Sequence, residues 1–170
     1  MDQLWAPWRG EYVVKPPPKS DDCFICRGLS ESNDRASGIV LRTIQSVVLL
    51  NRFPYNNGHL LVAPRSHQSG LDDLDSTQLA DVIETVRLMT RTLQSLLKPD
   101  GFNIGLNLGQ AAGAGLPGHL HWHIVPRWVG DVNFMPAVGN VKVISQSLDA
   151  LWELLTTKLA NSTNAKPQSG

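Results

Sequence analysis

Short β-rich apolar runs, broken by turn residues, mark the chain from residue 38 to 64 and again after residue 101. Gly38–Thr43 and Ser46–Asn51 read as two strands of a hairpin and His59–Pro64 as the next strand, with Pro54, Asn56, Asn57 and Gly58 forming a turn before His59. Phe102–Leu108 and His119–Val125 read as two further strands. Between the two groups the period lengthens: Leu79, Val82, Ile83, Val86, Met89, Leu93, Leu96 and Leu97 trace an apolar stripe at helical spacing after Asp75-Ser76. Asp75 with Gln78 three residues on resembles a capping box, and Pro99 with Gly101 ends this helix. A second helix is predicted from about Ser147 to Leu159, with Leu148, Leu151, Trp152, Leu155 and Leu159 facing inward. Both stripes are core and carry no chemistry. Strands, helix, strands and helix in that order predict an α+β fold around a mainly antiparallel five-stranded sheet.

The ends are patterned differently. Lys15–Ser20 contains three consecutive prolines, so residues 1–21 are expected to form an extended arm, with Trp5 and Trp8 docking on the body of the protein or on a partner subunit. Residues 22–159 form the single domain. Residues 160–170 are polar and aperiodic and are expected to be a disordered tail.

Composition narrows the function classes. The 170 residues suffice for one domain with a real core, and 15 basic against 15 acidic side chains argue against a broad nucleic-acid or membrane surface. A small anionic ligand in a local pocket is still allowed. No apolar run approaches bilayer-spanning length, and the start lacks a signal-peptide pattern, so a cytoplasmic protein is expected. The two cysteines stand in Cys23-Phe24-Ile25-Cys26, a short span for a disulfide but a common spacing for a metal or redox pair.

The sharpest chemical signal is His119-Leu120-His121-Trp122-His123, which holds three of the chain's five histidines. On a strand, alternate side chains share a face at roughly 7 Å intervals, so the three imidazoles line one side while Leu120, Trp122 and Ile124 anchor the other. Imidazoles in a row can bind phosphate, attack it or hold a metal. Immediately before them runs Gly109-Gln110-Ala111-Ala112-Gly113-Ala114-Gly115-Leu116-Pro117-Gly118, whose small residues let backbone N–H groups approach a phosphate. It is not a Walker loop, because no Gly-Lys-Ser/Thr follows.

These residues resemble the His-φ-His-φ-His-φ-φ signature of the histidine triad (HIT) nucleotidyl hydrolases and transferases. The resemblance covers roughly Asp22 to Asp131 and includes Asn51-Arg52-Phe53-Pro54, Gly58-His59-Leu60-Leu61-Val62-Ala63-Pro64, His67, Asn107 and the small-residue loop. Within the family, His-Ile-Val-Pro-Arg-Trp-Val-Gly-Asp-Val-Asn-Phe looks most like bacterial diadenosine polyphosphate phosphorylases. The resemblance implies a HIT-like fold in which His121 attacks a nucleotide's α-phosphate to form a nucleotidyl-histidine, with a backbone carbonyl fixing its tautomer. It implies that His123 and His59 stabilise the phosphate charge and arrange protons near the leaving group. It also places Asn51 at the ribose, Asn107 near the phosphates, Phe53 and apolar residues from Ile44 onward over the base, and backbone donors of Gly113, Gly115 and Leu116 on the phosphate. One departure is plain: many relatives carry Gly-Gln-Ser/Thr shortly before the first histidine, where this chain has Gly113-Ala114-Gly115-Leu116 and so neither hydroxyl nor amide.

By the same resemblance, Cys23 and Cys26 are completed by His67 and His119 into a closed, structural zinc site, as in some bacterial histidine-triad proteins and the related galactose-1-phosphate uridylyltransferases. The implied substrate is a nucleotide or dinucleoside polyphosphate, with magnesium accompanying the polyphosphate, and the implied assembly is a homodimer or higher homo-oligomer, often with sheets joined across the boundary. Phosphate as acceptor makes the protein a phosphorylase. Water makes it a hydrolase of dinucleoside polyphosphates or nucleoside phosphoramidates. A nucleotide-binding adaptor with negligible turnover is the alternative of a different class; a metal-only structural module leaves His121, His123 and the glycine loop unexplained.

Overall fold

Five short strands meet in one antiparallel sheet of order β1-β2-β3-β5-β4: β1 Ile39–Arg42, β2 Ser46–Leu50, β3 Leu60–Pro64, β4 Gly101–Leu106 and β5 Trp122–Arg127. The computed structural model describes residues 23–131 and 144–164, the last two by backbone alone. The predicted arm with Trp5 and Trp8, and the tail from 165 onward, lie outside the described residues. Among the described residues four α-helices accompany the sheet, α1 Phe24–Ser30, α2 Asp34–Ser37, α3 Ser76–Leu97 and α4 Leu148–Asn164. The α+β class and the five-stranded antiparallel sheet are as expected. Among the described residues no helix is long and apolar enough to cross a membrane.

Strands β2 and β3 are buried at every position, which is why they read as continuous apolar runs rather than alternating ones. Val48, Leu50, Leu60, Val62, Trp122 and Ile124 face α3 and α4, whereas Val47, Leu49 and Ala63 face Ile25 of α1 and Ile39. Strand β5 lies between β3 and β4, with His123 flanked by Leu61 and Gly105. Its side chain thus alternates away from the face that Trp122 and Ile124 give to the helical core.

Helix α3 starts with the predicted box: Asp75 Oδ1 accepts from Gln78 N–H at 2.8 Å and Gln78 Oε1 from Asp75 N–H at 3.0 Å. Its buried stripe is Val82, Thr85, Val86, Met89, Thr92 and Leu93, which corrects the expected one. Leu79 and Ile83 are 39% and 49% exposed, one row round the helix from the core. Two threonines, Thr85 and Thr92, are buried instead, and Thr92 is compatible with burial because its hydroxyl donates to Leu88 O at 3.0 Å. Helix α4 continues to Asn164, so residues 160–164 belong to the helix and not to a tail.

Two strand boundaries also move. The predicted strand beginning at His119 enters the ladder only at Trp122, because Leu120 N–H donates to Gln68 O (2.7 Å) and His119 N–H to Leu116 O (3.3 Å) instead of to β3. At its far end β5 runs on through Pro126 and Arg127, and Pro126 O accepts from the Asn56 side chain at 3.1 Å. N–H and C=O of one strand residue point the same way, so the missing donor of Pro126 faces the Asn56 turn and takes nothing from β4.

That turn, closed by His59 N–H on Asn56 O at 3.3 Å, delivers His59 to the sheet. Gly58 within it has φ +76°, and a Cβ there would lie 2.7 Å from Leu97 Cδ1 and 3.0 Å from Pro126 Cγ. Gly58→Ala combines a left-handed backbone with overpacking, so it should cost about 3 kcal/mol. In a domain of this size calorimetry should show Tm lowered by roughly 6–12 °C. An unchanged Tm would mean that Leu97 and Pro126 yield to the extra methyl.

Candidate active site and metal cluster

His121 is buried, and its Nδ1–H donates to the carbonyl of His119 at 2.9 Å. That bond fixes the proton on Nδ1 and leaves the Nε2 lone pair as the reactive nitrogen. Burial pushes the His121 pKa below the ordinary imidazole value, with the His119 carbonyl opposing it in part. The neutral ring, the form that can act as a nucleophile, therefore predominates at neutral pH.

A chain of donors runs towards the next histidine. Tyr55 N–H donates to His59 Nδ1 at 3.0 Å, so that nitrogen carries no proton. His59 Nε2–H then donates to His123 Nδ1 at 3.0 Å, which puts the His123 proton on Nε2. The rings of His121 and His123 lie edge to face with centroids 5.1 Å apart. Tyr55 packs beside both of the other rings, 4.6 Å from His59 and 5.8 Å from His123, the latter nearly parallel at 22°. The two rings thus pack against each other with a lone pair on Nε2 of His121 and a proton on Nε2 of His123, itself a buried atom, a complement of groups that suits attack at phosphorus with protonation of a departing oxygen.

Asn51 stands against this pair. Its Oδ1 accepts from Phe53 N–H at 2.9 Å, and its Nδ2 lies 3.3 and 3.4 Å from the two His59 ring nitrogens. It therefore forms a local turn and borders the histidines as well. Phe53 is 76% exposed and available to cover a base. Val47 to Leu50 are not, because all four side chains are buried in the sheet, and Ile44, though exposed, sits at the Arg65 end of β2. Asn107 follows Leu106, the β4 partner of Trp122, and so leaves the sheet beside the histidine strand. In the small-residue loop Gln110–Ala112 form a 3-10 turn, and the N–H groups of Gly113 and Ala114 close onto Gln110 O (3.0 Å) and Gly109 O (3.4 Å). Gly113 is in the left-handed region at φ +84°. Leu116 packs its side chain against the small core cluster that contains Cys23 and Ile25, so its contact with a phosphate would come from its backbone.

At the other end of the histidine row the ligand atoms of Cys23, Cys26, His67 and His119 all lie within 4.8 Å of one another. Cys23 Sγ and His119 Nδ1 are 3.2 Å apart, Cys26 Sγ and His67 Nδ1 3.2 Å, and Cys26 Sγ and His119 Nδ1 3.5 Å. Tetrahedral zinc with bonds of about 2.3 Å to sulfur and about 2.0 Å to nitrogen sets S and N roughly 3.5 Å apart, so the donor set fits. His119 Nε2–H donates to Pro64 O at 2.8 Å, which leaves Nδ1 free of its proton and aimed at the thiols. Burial, helped by the neighbouring His67 and His121 and opposed by the Pro64 carbonyl, lowers the His119 pKa to about 4. Burial and then the Cys23 side chain push the Cys26 thiol up to about 11, so a cation would have to displace its proton.

The cysteines owe their position to α1, which the sequence reading missed. Ile25 plugs the core, Cys23 caps the helix, and Arg42 from β1 donates to the carbonyls of Gly28 (2.9 Å), Leu29 (3.0 Å) and Glu31 (3.2 Å) while pairing with Asp34. Seven residues are too few for helical periodicity to declare itself. Tyr55 was also missed; an aromatic four residues before a histidine in a turn was its only trace. Among the described residues no cluster of carboxylates offers magnesium a site.

A family model, the HIT domain, matches residues 33–129. The AP-4-A phosphorylase of Mycobacterium tuberculosis is 37% identical over 166 residues, covering 94% of this chain and 85% of that protein. A bis(5'-nucleosyl)-tetraphosphatase [asymmetrical] of Schizosaccharomyces pombe is 34% identical over 95 residues, 56% of this chain and 52% of that one. The fold is similar to a crystal structure of a Zn-bound histidine triad family protein from Mycobacterium smegmatis, with TM-score 0.68, 26% identity, and 86% and 99% of the two chains covered. With a model that spans more than half of the residues and a relative alike along nearly the whole length, this chain belongs to the HIT domain family.

Proposed function

We propose that this chain is an enzyme that cleaves diadenosine polyphosphates by phosphorolysis, through a covalent nucleotidyl intermediate on His121. The observation that carries the reading is the His121 Nδ1–H bond to His119 O, which leaves Nε2 as a lone pair on a ring packed edge to face with that of His123. Similarity to an AP-4-A phosphorylase along most of both chains supports the substrate class and phosphate as acceptor.

In the first step His121 Nε2 attacks the α-phosphorus and an N–P bond forms. The bond from that phosphorus to the bridging oxygen breaks, and His123 Nε2–H protonates the departing polyphosphate. In the second, a phosphate oxygen attacks the same phosphorus, the N–P bond breaks, and His123 recovers a proton from the incoming phosphate. Diadenosine tetraphosphate then yields ATP in the first step and ADP in the second. Asn51 and Phe53 hold ribose and base, Asn107 borders the phosphates, and backbone N–H groups of Gly113, Gly115 and Leu116 meet the developing charge once the loop has closed on a ligand. Magnesium would arrive on the polyphosphate.

Cys23, Cys26, His67 and His119 hold a structural zinc in this reading, cross-linking α1 to the approach to β5. Four protein ligands leave no open position for water, so the ion takes no part in the chemistry. The exposed edge of β4, with Ile104 49% exposed and open space beside Gly101 and Gly105, supports a homodimer joined along that strand in the reducing setting of the cytoplasm. Light scattering should then give twice the mass of one chain, and a monomer at micromolar concentration would remove this interface.

Incubation with diadenosine tetraphosphate, with and without inorganic phosphate, tests the reaction. ADP and ATP formed only when phosphate is present are expected; AMP and ATP formed regardless of phosphate would make the protein a hydrolase. His121→Ala should abolish turnover, a loss of at least about 10³-fold, while circular dichroism stays native. Nucleotide binding with no product from the unaltered protein would instead leave an adaptor. Untagged protein should contain about one zinc per chain, and Cys23→Ser should lose it. Stable, active protein free of zinc would end the metal assignment.

A further inference from the structure

The β3–β5 ladder ends at Leu60 and Ile124, yet His59 and His123 must meet beside this open end. A buried amide holds the two sides together. Asn56, 7% exposed, donates through Nδ2 to Pro126 O at 3.1 Å and to Asp131 Oδ2 at 2.7 Å, 70 and 75 residues away along the chain. Its Oδ1 accepts from Asn57 N–H at 3.1 Å, and its main-chain oxygen accepts from His59 N–H at 3.3 Å. Asp131, with a side chain 8% exposed, is held by Arg127 Nε at 2.7 Å and Nη2 at 3.0 Å and by Trp128 N–H at 3.3 Å. Arg127 reaches on to Asn103 Oδ1 on β4 at 2.8 Å.

An asparagine that merely shaped its own turn would bond locally; both Nδ2 contacts of Asn56 are distant. A carboxylate kept this far from water is also a poor source of net stability, since an apolar replacement of the same shape often does as well. What the arrangement does secure is geometry. We propose that Asn56, anchored by Asp131, is a positioning residue for the reaction: it holds the Tyr55–His59 turn against β5 so that His59 meets His123 through one pair of ring nitrogens. It thereby determines which His123 nitrogen presents a proton to the leaving group. The kinetic part of this inference rests on the phosphorolytic reading above; the ring-nitrogen pairing does not.

The test uses full-length protein labelled with ¹⁵N in its histidine rings. In the unaltered protein, His59 and His123 should each show an unprotonated Nδ1 and a protonated Nε2. Asn56→Leu and Asp131→Ala should scramble that pattern and lower kcat by about tenfold or more with KM changed less than about threefold, the size expected when reacting groups are displaced by a fraction of an ångström to 1 Å. Asp131→Asn keeps an oxygen for Asn56 and should restore most of both. Asp100→Asn, which loosens the neighbouring Val129 N–H contact without touching Asn56, should leave the ring pattern native. If Asn56→Leu does not fold, Asn56→Ser takes its place in the comparison. Folded Asn56 and Asp131 variants with the native ring pattern overturn the proposal, whatever their kcat, and so does scrambling by Asp100→Asn. Absence of turnover in the unaltered protein would sink the function but leave the ring pattern to decide this question.

Discussion

The hydrogen bond from His121 Nδ1–H to the His119 carbonyl, 2.9 Å long, is the contact on which the functional reading depends. A neutral imidazole has one donor and one acceptor, and the partner of the donor decides which nitrogen is left to react. A backbone carbonyl two residues back, in the lead-in to β5 that Leu116 and Gln68 hold, cannot rotate away independently of the fold. A net contribution of about 1 kcal/mol already biases the two tautomers roughly fivefold. Because the ring is buried, the alternative tautomer would also leave that carbonyl without its partner, which raises the bias further.

This carbonyl stays in place because His119 is tied on three sides. Its N–H reaches Leu116 O, its Nε2–H reaches Pro64 O, and its Nδ1 faces Cys23 and Cys26. The next residue, Leu120, is bonded to Gln68 O, immediately after His67 of the Cys/His cluster. The Cys/His cluster and the His121 ring therefore share one stretch of backbone: the side chain of His119 belongs to the first and its carbonyl holds the second. Arg42 adds a hold that requires no metal, since it bonds three carbonyls at the end of α1 and keeps the cysteine helix on the sheet.

How much of this could be read from the chain follows from how local each cause is. The continuous apolar runs at Ser46–Leu50 and Leu60–Pro64 are legible because both faces of those strands are covered, and the α3 capping box because both of its partners lie within three residues. The histidine row was legible as residue types, whereas His67 and His119 joined the Cys23–Cys26 pair only through the family resemblance; the fold gathers those four side chains and packs His121 against His123. What escaped depends on distant partners. Whether His119 enters the ladder is decided by Gln68 and Leu116, and whether β5 continues through a proline by Asn56. Ile83 looks like core on periodicity alone but lies one row beyond the surface that the sheet covers, while Thr92 looks polar yet meets its own need at Leu88 O.

The departure from the family's loop pattern acquires a physical sense from these contacts. Where many relatives place a hydroxyl and an amide, this chain has Gly113-Ala114-Gly115-Leu116, and here Leu116 packs on the small core cluster of Cys23, Ile25 and their sheet neighbours while its carbonyl holds His119 N–H. A longer or polar side chain at Gly118 would press on His67, since a Cβ there already comes within 3.5 Å of its Nε2. The loop is thus anchored on the metal side at Leu116 and hinged on the other at Gly109 and Gly113, both in positive φ. Leu116 ties the loop to the lead-in of β5, so the backbone that holds His119, and with it the His121 tautomer, is set from the Cys/His-cluster side of the loop rather than from its glycine-rich stretch.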